Sequence, residues 1–289
     1  MKKKSFLSWM LSLVLLLQLL PGYSSVSAQQ MHAGDLAGHW ASESANKWIS
    51  RQVLEGYGDG TFRPDAHITR AEFAVIMNKV FGYTKKSGRP FADVPDHAWY
   101  SDDLLIARQA GYFAGTPQNR ALPELPITRQ DAVTMMARAF KLSGMDGGAT
   151  GFRDQHLISD YARGPVSAFT RVGVIRGYPD STFRPANPIT RAETVKLLDE
   201  MVKGYFGLAG VYEGETIQGS AIVNTTGVTL KNVVIEGNLY LTEGIGEGDV
   251  SLEGVRVKGT TFLSGGGTSS VIIGSKDGSG TWLKLTGRN

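Results

Sequence analysis

The sequence predicts two regions of unlike construction: an all-helical array of three repeats with long loops, then an all-β region built as a short parallel β-helix. Three observations carry this reading. Ile68-Thr69-Arg70-Ala71-Glu72 returns as Ile189-Thr190-Arg191-Ala192-Glu193 and, in worn form, as Ile127-Thr128-Arg129-Gln130-Asp131, with the threonines 59 and 62 residues apart. Each copy opens a run whose apolar residues recur at three and four positions, as in Phe73, Ile76, Met77 and Val80. After about Gly207 glycine becomes dense, helical periodicity stops, and short alternating β-branched runs take over.

Residues 1–28 read as a signal peptide. Lys2-Lys3-Lys4 form a basic start, Phe6 to Leu20 an apolar core, Pro21-Gly22 a break, and Val26-Ser27-Ala28 a small-residue cleavage site. The apolar run is shorter than the roughly 20 residues a membrane span prefers, so export with removal of the segment is expected, and no membrane association afterwards. Of 30 Lys and Arg against 27 Asp and Glu, three lysines leave with the signal, and the mature chain carries 27 of each sign. A neutral chain gives no electrostatic case for nucleic acid as a partner. Cysteine is absent, so packing alone must hold this exported fold. Cysteine-free exported chains fit a Gram-positive source.

The repeats span 33–84, 90–143 and 151–205. Their helices are expected at Ala41–Leu54, Glu72–Phe81, Ser101–Ala110, Ala132–Leu142, Ala162–Val174 and Glu193–Lys203. Trp40, Trp99 and Tyr161 hold matching places behind Asp35-Leu36, Asp93-Val94 and Arg153-Asp154. Between the helices of the first repeat runs Gly56-Tyr57-Gly58-Asp59-Gly60-Thr61-Phe62-Arg63-Pro64, and in the third Gly177-Tyr178-Pro179-Asp180-Ser181-Thr182-Phe183-Arg184-Pro185. The middle repeat keeps only Gly115 and Pro123 of this stretch.

In the β-region, 208–289, Val228–Leu241 aligns with Val250–Leu263 at an offset of 22 throughout, with partial copies around Ile217–Val223 and Val271–Ile273. A period near 22 residues suggests rungs that bury their apolar side chains on one another, three or so in number. A β-sandwich is the alternative. The last alternating run, Trp282-Leu283-Lys284-Leu285, leaves either a short solenoid or a truncated chain.

The recurring segment carries the chemistry. Thr69 with Glu72 and Thr190 with Glu193 are spaced as capping boxes, with Thr128 and Asp131 as the worn version. Those residues are accounted for by starting a helix. The arginine is not. Arg70, Arg129 and Arg191 each fall at the first helical position, where a cation opposes the helix dipole by a few tenths of a kcal/mol up to about 1. Two explanations stay open: a receptor for a carboxylate or phosphate, made of free helix N–H groups and a guanidinium fork, or an ion pair with an acid of a neighbouring repeat. On the first, removing Arg70 and Arg191 weakens ligand binding and spares stability. Asp59, Gly60 and Asp180 are turn formers in the loop beside the cap. Tyr57, Tyr178, Phe62 and Phe183 read as loop anchors packed into the core. Trp40 and Trp99 are either core residues or flat apolar faces for a sugar ring, and aromatic plus arginine suits an acidic carbohydrate.

On these marks residues 33–203 resemble three tandem S-layer homology (SLH) domains: Asp35…Trp40, the Gly-Tyr-x-Asp-Gly-Thr-Phe-x-Pro loop and Ile-Thr-Arg-Ala-Glu, with their copies. The resemblance implies a pseudo-threefold assembly with ligand grooves between repeats. It implies non-covalent attachment to secondary cell wall polysaccharide on peptidoglycan, often bearing a pyruvate ketal, at the cell wall or S-layer, and admits self-association into a lattice. The candidate carbohydrate-binding residues are therefore Arg70, Arg191 and Arg129, Trp40, Trp99, Asp59, Gly60 and Asp180. The departures in the middle repeat place Arg70 and Arg191 ahead of Arg129.

A wall-anchored carbohydrate-active enzyme on the β-helix is the rival. His32, His39, His67, His97 and His156 are scattered, no Gly-x-Ser-x-Gly occurs, and Glu236 and Glu253 fall beside turn glycines as solvated residues. Asp59-Gly60-Thr61 lacks the alternating carboxylates of a calcium loop. No catalytic residue, cofactor or metal is expected.

Overall fold

The computed structural model describes residues 34–142 and 146–265; the signal segment and the partial copy at Val271–Ile273 lie outside them. Among the described residues six α-helices come first: α1 (Ser42–Ser50), α2 (Arg70–Phe81), α3 (Ser101–Gln109), α4 (Arg129–Ala139), α5 (Asp160–Arg171) and α6 (Arg191–Met201). The second helix of each repeat starts at the arginine, two or three residues earlier than the periodicity alone suggested, because the threonine ahead of it is the cap. The first helix of each repeat stops early. A left-handed residue, Gln52, Gly111 or Gly173, turns the chain, and late amides bond back to the carbonyls of Trp48, Ala107 and Phe169.

The repeats close on themselves. Each second helix packs on the first helix of the next repeat: α2 on α3, α4 on α5, and α6 back on α1. On the axis, three fully buried isoleucines exchange backbone bonds in a ring. Ile68 N donates to Ile189 O at 3.2 Å, Ile189 N to Ile127 O at 3.1 Å, and Ile127 N to Ile68 O at 3.0 Å. Each repeat's N′ residue thus completes its backbone pairing only through the other two, and the pseudo-threefold arrangement follows.

The remaining strands are β1 (Val202–Phe206), β2 (Gly210–Glu213), β3 (Thr216–Ile217), β4 (Ser220–Val223), β5 (Val228–Lys231), β6 (Val234–Ile235), β7 (Leu239–Leu241), β8 (Val250–Glu253), β9 (Arg256–Val257) and β10 (Thr261–Leu263). They stack as three parallel sheets, β1-β4-β7-β10, β2-β5-β8 and β3-β6-β9, which makes a parallel β-solenoid of about three turns and excludes the sandwich. The constant offset of 22 is corrected. Val228 pairs with Val250 at that spacing, but Gly210 pairs with Val228 and Ala221 with Leu239, a spacing of 18. The basic turn has 18 residues, and the later one gains four in the β7–β8 link, which holds a 3₁₀ turn at Glu243–Ile245.

Helix α6 passes into β1 with no linker, within the span read as the third repeat. Strands β4 and β7 are apolar at every central position because both faces are covered. Ala221, Val223, Leu239 and Leu241 fill the solenoid interior, while Ile222 and Tyr240 join the helical core. Tyr240 Oη donates to Phe140 O at 3.0 Å, and Asn224 Nδ2 donates to the α2 carbonyls of Lys79 and Val80 at 2.8 and 2.9 Å. Gly82 ends α2 in a left-handed conformation, φ +63°, and a Cβ there would lie 2.4 Å from the Gly244 Cα.

Candidate functional site

The caps form as their residue types dictate. Thr69 Oγ1 accepts from Glu72 N at 3.2 Å while Glu72 Oε2 accepts from Thr69 N at 2.8 Å, and Thr190 with Glu193 does the same at 3.1 and 3.0 Å. Thr128 accepts from Asp131 N at 3.2 Å, but Asp131 is one methylene short of returning the bond.

The expectation of free amides at these helix starts is overturned. Arg70 N and Ala71 N donate to Leu125 O and Pro123 O, Arg129 N and Gln130 N to Asn187 O and Pro185 O, and Arg191 N and Ala192 N to Ala66 O and Pro64 O, all between 2.8 and 3.0 Å. Each helix start is spent on the loop of the next repeat, whose prolines hold those carbonyls in place. No anion cradle of free N–H groups remains there.

The arginine side chains go the same way round. Arg70 pairs with Asp131 at 3.5 Å, Arg129 with Glu193 at 3.6 Å and Arg191 with Glu72 at 3.6 Å, a closed ring of ion pairs between repeats. Their side chains are 16%, 10% and 7% exposed. They are not tied equally. Arg191 Nε donates to Phe62 O at 2.9 Å and its Nη2 to Glu55 O at 2.8 Å; Arg70 Nε donates to Ala121 O at 2.9 Å. Arg129 Nε is buried without a partner. Aromatic rings lie beneath each guanidinium: Tyr57 and Phe62 for Arg191, Tyr178 and Phe183 for Arg129, Phe113 for Arg70.

Phe62 and Phe183 are the buried anchors expected of them, whereas Tyr57 and Tyr178 are only part-buried and carry their hydroxyls to the ion pairs. Tyr57 Oη donates to Glu72 at 2.9 Å, and Tyr178 Oη donates to Glu193. Burial, then the Glu193 carboxylate, pushes the Tyr178 phenol up to about 12. Asp59 and Asp180 turn inward on their own loops. Asp59 accepts from Thr61 N and Oγ1 at 3.0 and 2.6 Å and pairs with Arg63 at 2.7 Å; Asp180 does so with Thr182 and Arg184. The Thr182 hydroxyl and Arg184 hold the Asp180 carboxyl down at about 2. Gly60 supplies φ +81°, a conformation Ser181 must match at +62°.

Trp40 and Trp99 are surface residues, 60% and 65% exposed, and Tyr161 at the third matching place is 52% exposed. Among the described residues the fully buried indole is Trp48. Trp99 lines an open cleft of about 370 Å³ together with Arg191, Tyr57 and Glu72, Val75, Ile76 and Lys79 of α2. The cleft draws on all three repeats: the arginine from the third, the loop and helix from the first, the indole from the second. Lys79 Nζ pairs at its rim with Glu55, whose side chain is 75% exposed.

Sequence reasoning missed two parts of this arrangement. Asp35, Asp93 and Asp154 hold the loops, accepting from Phe62 and Arg63 N at 2.9 and 2.6 Å, from Ala121 and Leu122 N at 2.7 and 2.8 Å, and from Phe183 and Arg184 N at 2.8 and 2.7 Å. Arg63, Leu122 and Arg184 are left-handed, which is why each loop needs a fixed acceptor. The acid recurs upstream of every aromatic, so the signal was present. Lys79 was also passed over; it lies two turns beyond Glu72 on the same helix face.

Among the described residues no group of three or more His, Cys, Asp or Glu could hold a metal, and no helix is long and apolar enough to cross a membrane. A family model described as "S-layer homology domain" matches residues 34–74, 90–133 and 151–195. The chain is 34% identical over 167 residues to "Cell surface glycoprotein 1" of Acetivibrio thermocellus, covering 53% of this chain and 7% of that protein. It is 32% identical over 157 residues to "Cellulosome-anchoring protein" of the same organism, 52% of this chain and 35% of the relative. To "Surface-layer 125 kDa protein" of Lysinibacillus sphaericus it is 25% identical over 214 residues, 73% of this chain and 18% of the relative. The chain thus spans about a third or less of these relatives.

Proposed function

The chain carries three tandem S-layer homology domains, and we propose that they anchor an exported protein non-covalently to the bacterial cell wall by gripping an acidic secondary wall polysaccharide. The observation that carries this reading is the cleft in which exposed Trp99 faces Arg191 and Lys79. A pyranose has an apolar face that an indole can cover, and its hydroxyls and carboxylate need donors at the ring edge. Lys79 supplies the mobile charge. Its bond to exposed Glu55 is a surface pair worth about 0–1 kcal/mol, so a ligand carboxylate can displace it. Arg191 supplies fixed charge: its 3.6 Å approach to Glu72 is well outside the roughly 2.7–2.9 Å of a full charge-assisted hydrogen bond. A carboxylate ketal on the sugar, such as pyruvate, matches that pair of cations.

Two of the relatives, a cellulosome-anchoring protein and a surface-layer protein, agree with attachment at the cell surface. The solenoid is proposed as the part displayed or spaced from the wall, with no catalytic role. The test is co-sedimentation. Mature protein should pellet with purified wall that carries its polysaccharide and remain in solution once that polymer is extracted. Equal pelleting with stripped peptidoglycan refutes the mechanism, and turnover of an acidic polysaccharide refutes the non-catalytic reading.

A further inference from the structure

We propose that this chain holds glycan at two of its three inter-repeat grooves, and that Tyr161 has converted the third into a structural joint. The inference rests on the anchoring reading for the ligand, but the joint itself can be tested without one.

Each groove takes an arginine from one repeat, an aromatic loop and acid from the next, and a surface aromatic from the third. The Arg191 groove is the one with Trp99. In the Arg70 groove two departures from the repeat pattern meet. Thr116 stands at the place of Tyr57, so Asp131 has lost the loop phenol that Glu72 and Glu193 receive. Tyr161 stands at the place of Trp99, and its Oη donates to Asp131 Oδ1 at 2.7 Å, beside the Arg70–Asp131 pair at 3.5 Å. The second change repairs the first. The aromatic at this place, still 52% exposed, is tied by its hydroxyl to the ion pair, where it replaces the missing tyrosine. Burial and that bond push the Tyr161 phenol up to about 12, so it stays a donor at every working pH.

The Arg129 groove goes the other way. It keeps its loop tyrosine, Tyr178, and by the repeat spacing its surface aromatic is exposed Trp40. Helix α1, which follows Trp40, is fixed against α6 by Ser44 and Lys47 on Asp199 at 3.1 and 2.6 Å. Arg129 has no bond to a loop carbonyl, so its guanidinium is held by its 3.6 Å approach to Glu193 and by the rings of Tyr178 and Phe183. Lys196 takes the place of Val75 and Glu200 the place of Lys79. Glu200 lies between Lys196 and Lys203 at 2.8 and 2.7 Å, which leaves one net positive charge on that wall. Two occupied grooves on one chain would give an avidity that a single groove lacks.

The experiment is titration calorimetry with short acidic oligosaccharides released from purified walls, alongside thermal unfolding. The intact protein should bind two per chain, Trp40→Ala and Trp99→Ala one each, and the Thr116→Tyr/Tyr161→Trp double variant three. Tyr161→Phe should still bind two but melt lower by about 3 °C, since it strips a partly buried carboxylate of its donor. Three sites in the intact protein, or loss of a site in Tyr161→Phe, overturns the proposal. If the oligosaccharides do not bind at all, the anchoring reading falls. In that case an unchanged melting temperature in Tyr161→Phe overturns the joint as well, and a lowered one supports it.

Discussion

Removing Arg191 should destabilise this protein strongly, as the ion-pair explanation of the helix-start arginine requires and the ligand explanation does not. In Arg191→Ala the Phe62 carbonyl, on a fully buried residue, loses its donor, and so does the carbonyl of Glu55. A buried acceptor left without a partner costs about 1–3 kcal/mol. Water can reach the backbone of exposed Glu55, so that loss is small. Glu72 loses its cation but keeps Thr69 N at 2.8 Å and the Tyr57 hydroxyl at 2.9 Å. Breaking a buried pair from one side costs about 3–5 kcal/mol, and the bonds retained by Glu72 argue for the low end. The expected loss is about 3 kcal/mol, or about 6–12 °C in Tm for a chain of this size. Urea unfolding followed by circular dichroism gives the number, with an unchanged slope required. The three arginines should also rank by their backbone bonds: Arg191 with two, Arg70 with one, Arg129 with none. A loss below about 1 kcal/mol for Arg191→Ala, or the reverse ranking, refutes the view that these side chains lock the repeats together.

Trp99→Ala should weaken wall binding about tenfold or more while stability stays within about 0.5 kcal/mol, because the indole is exposed; Trp48→Ala, on a fully buried ring, should cost about 3–5 kcal/mol. Stability should be lost in acid. Lys196, then Lys203, hold the Glu200 carboxyl down at about 2 against an ordinary 4.5, and Asp180 is also held at about 2. Groups with depressed values stabilise the fold above their unfolded pKa and lose that contribution as pH falls through the folded one, so Tm should drop between about pH 4.5 and 2; a flat profile there contradicts the assignment. Gly82→Ala should damage the seam between helices and solenoid, since a Cβ would meet Gly244 backbone at 2.4 Å in a left-handed conformation. Its expected cost is more than 1 kcal/mol, and a neutral result in thermal unfolding would show that the seam can shift.

Much of the fold was legible because it is written in local signals. The capping threonines, the periodic apolar residues and the alternating runs each act within a few positions of themselves. What was not legible depends on closure. Nothing in Ile68 says that its amide will meet Ile189, and the inter-repeat ion pair that Arg70 allowed came with no named partner acid. The helix-start amides read as free because their partners, such as Pro123 and Leu125 for α2, sit on another repeat. The solenoid period was misread for a different reason. The stretch with the strongest internal likeness, Val228–Leu241 against Val250–Leu263, spans the one link that carries four extra residues. Tyr240 gave no sign that it faces helices rather than solenoid, since an apolar position looks the same on either face.

Closure also changes how damage to one repeat should be scored. Ranking the arginines repeat by repeat set Arg129 last because the middle repeat is worn. The grooves, however, are assembled cyclically, and the worn loop of the middle repeat lies against Arg70. A change in any repeat is therefore felt in a groove whose arginine belongs to another. The same geometry links binding to folding. A ligand lying between Trp99, Lys79 and Arg191 touches all three repeats at once, and can do so only while the ring is closed. Its binding free energy then adds to the stability of the closed ring, about 2.7 kcal/mol at a free concentration of 100 times Kd. That is of the same order as the contribution of Arg191 itself. The arginines thus hold the ring closed when the grooves are empty, and on the anchoring proposal a bound ligand would add to that closure.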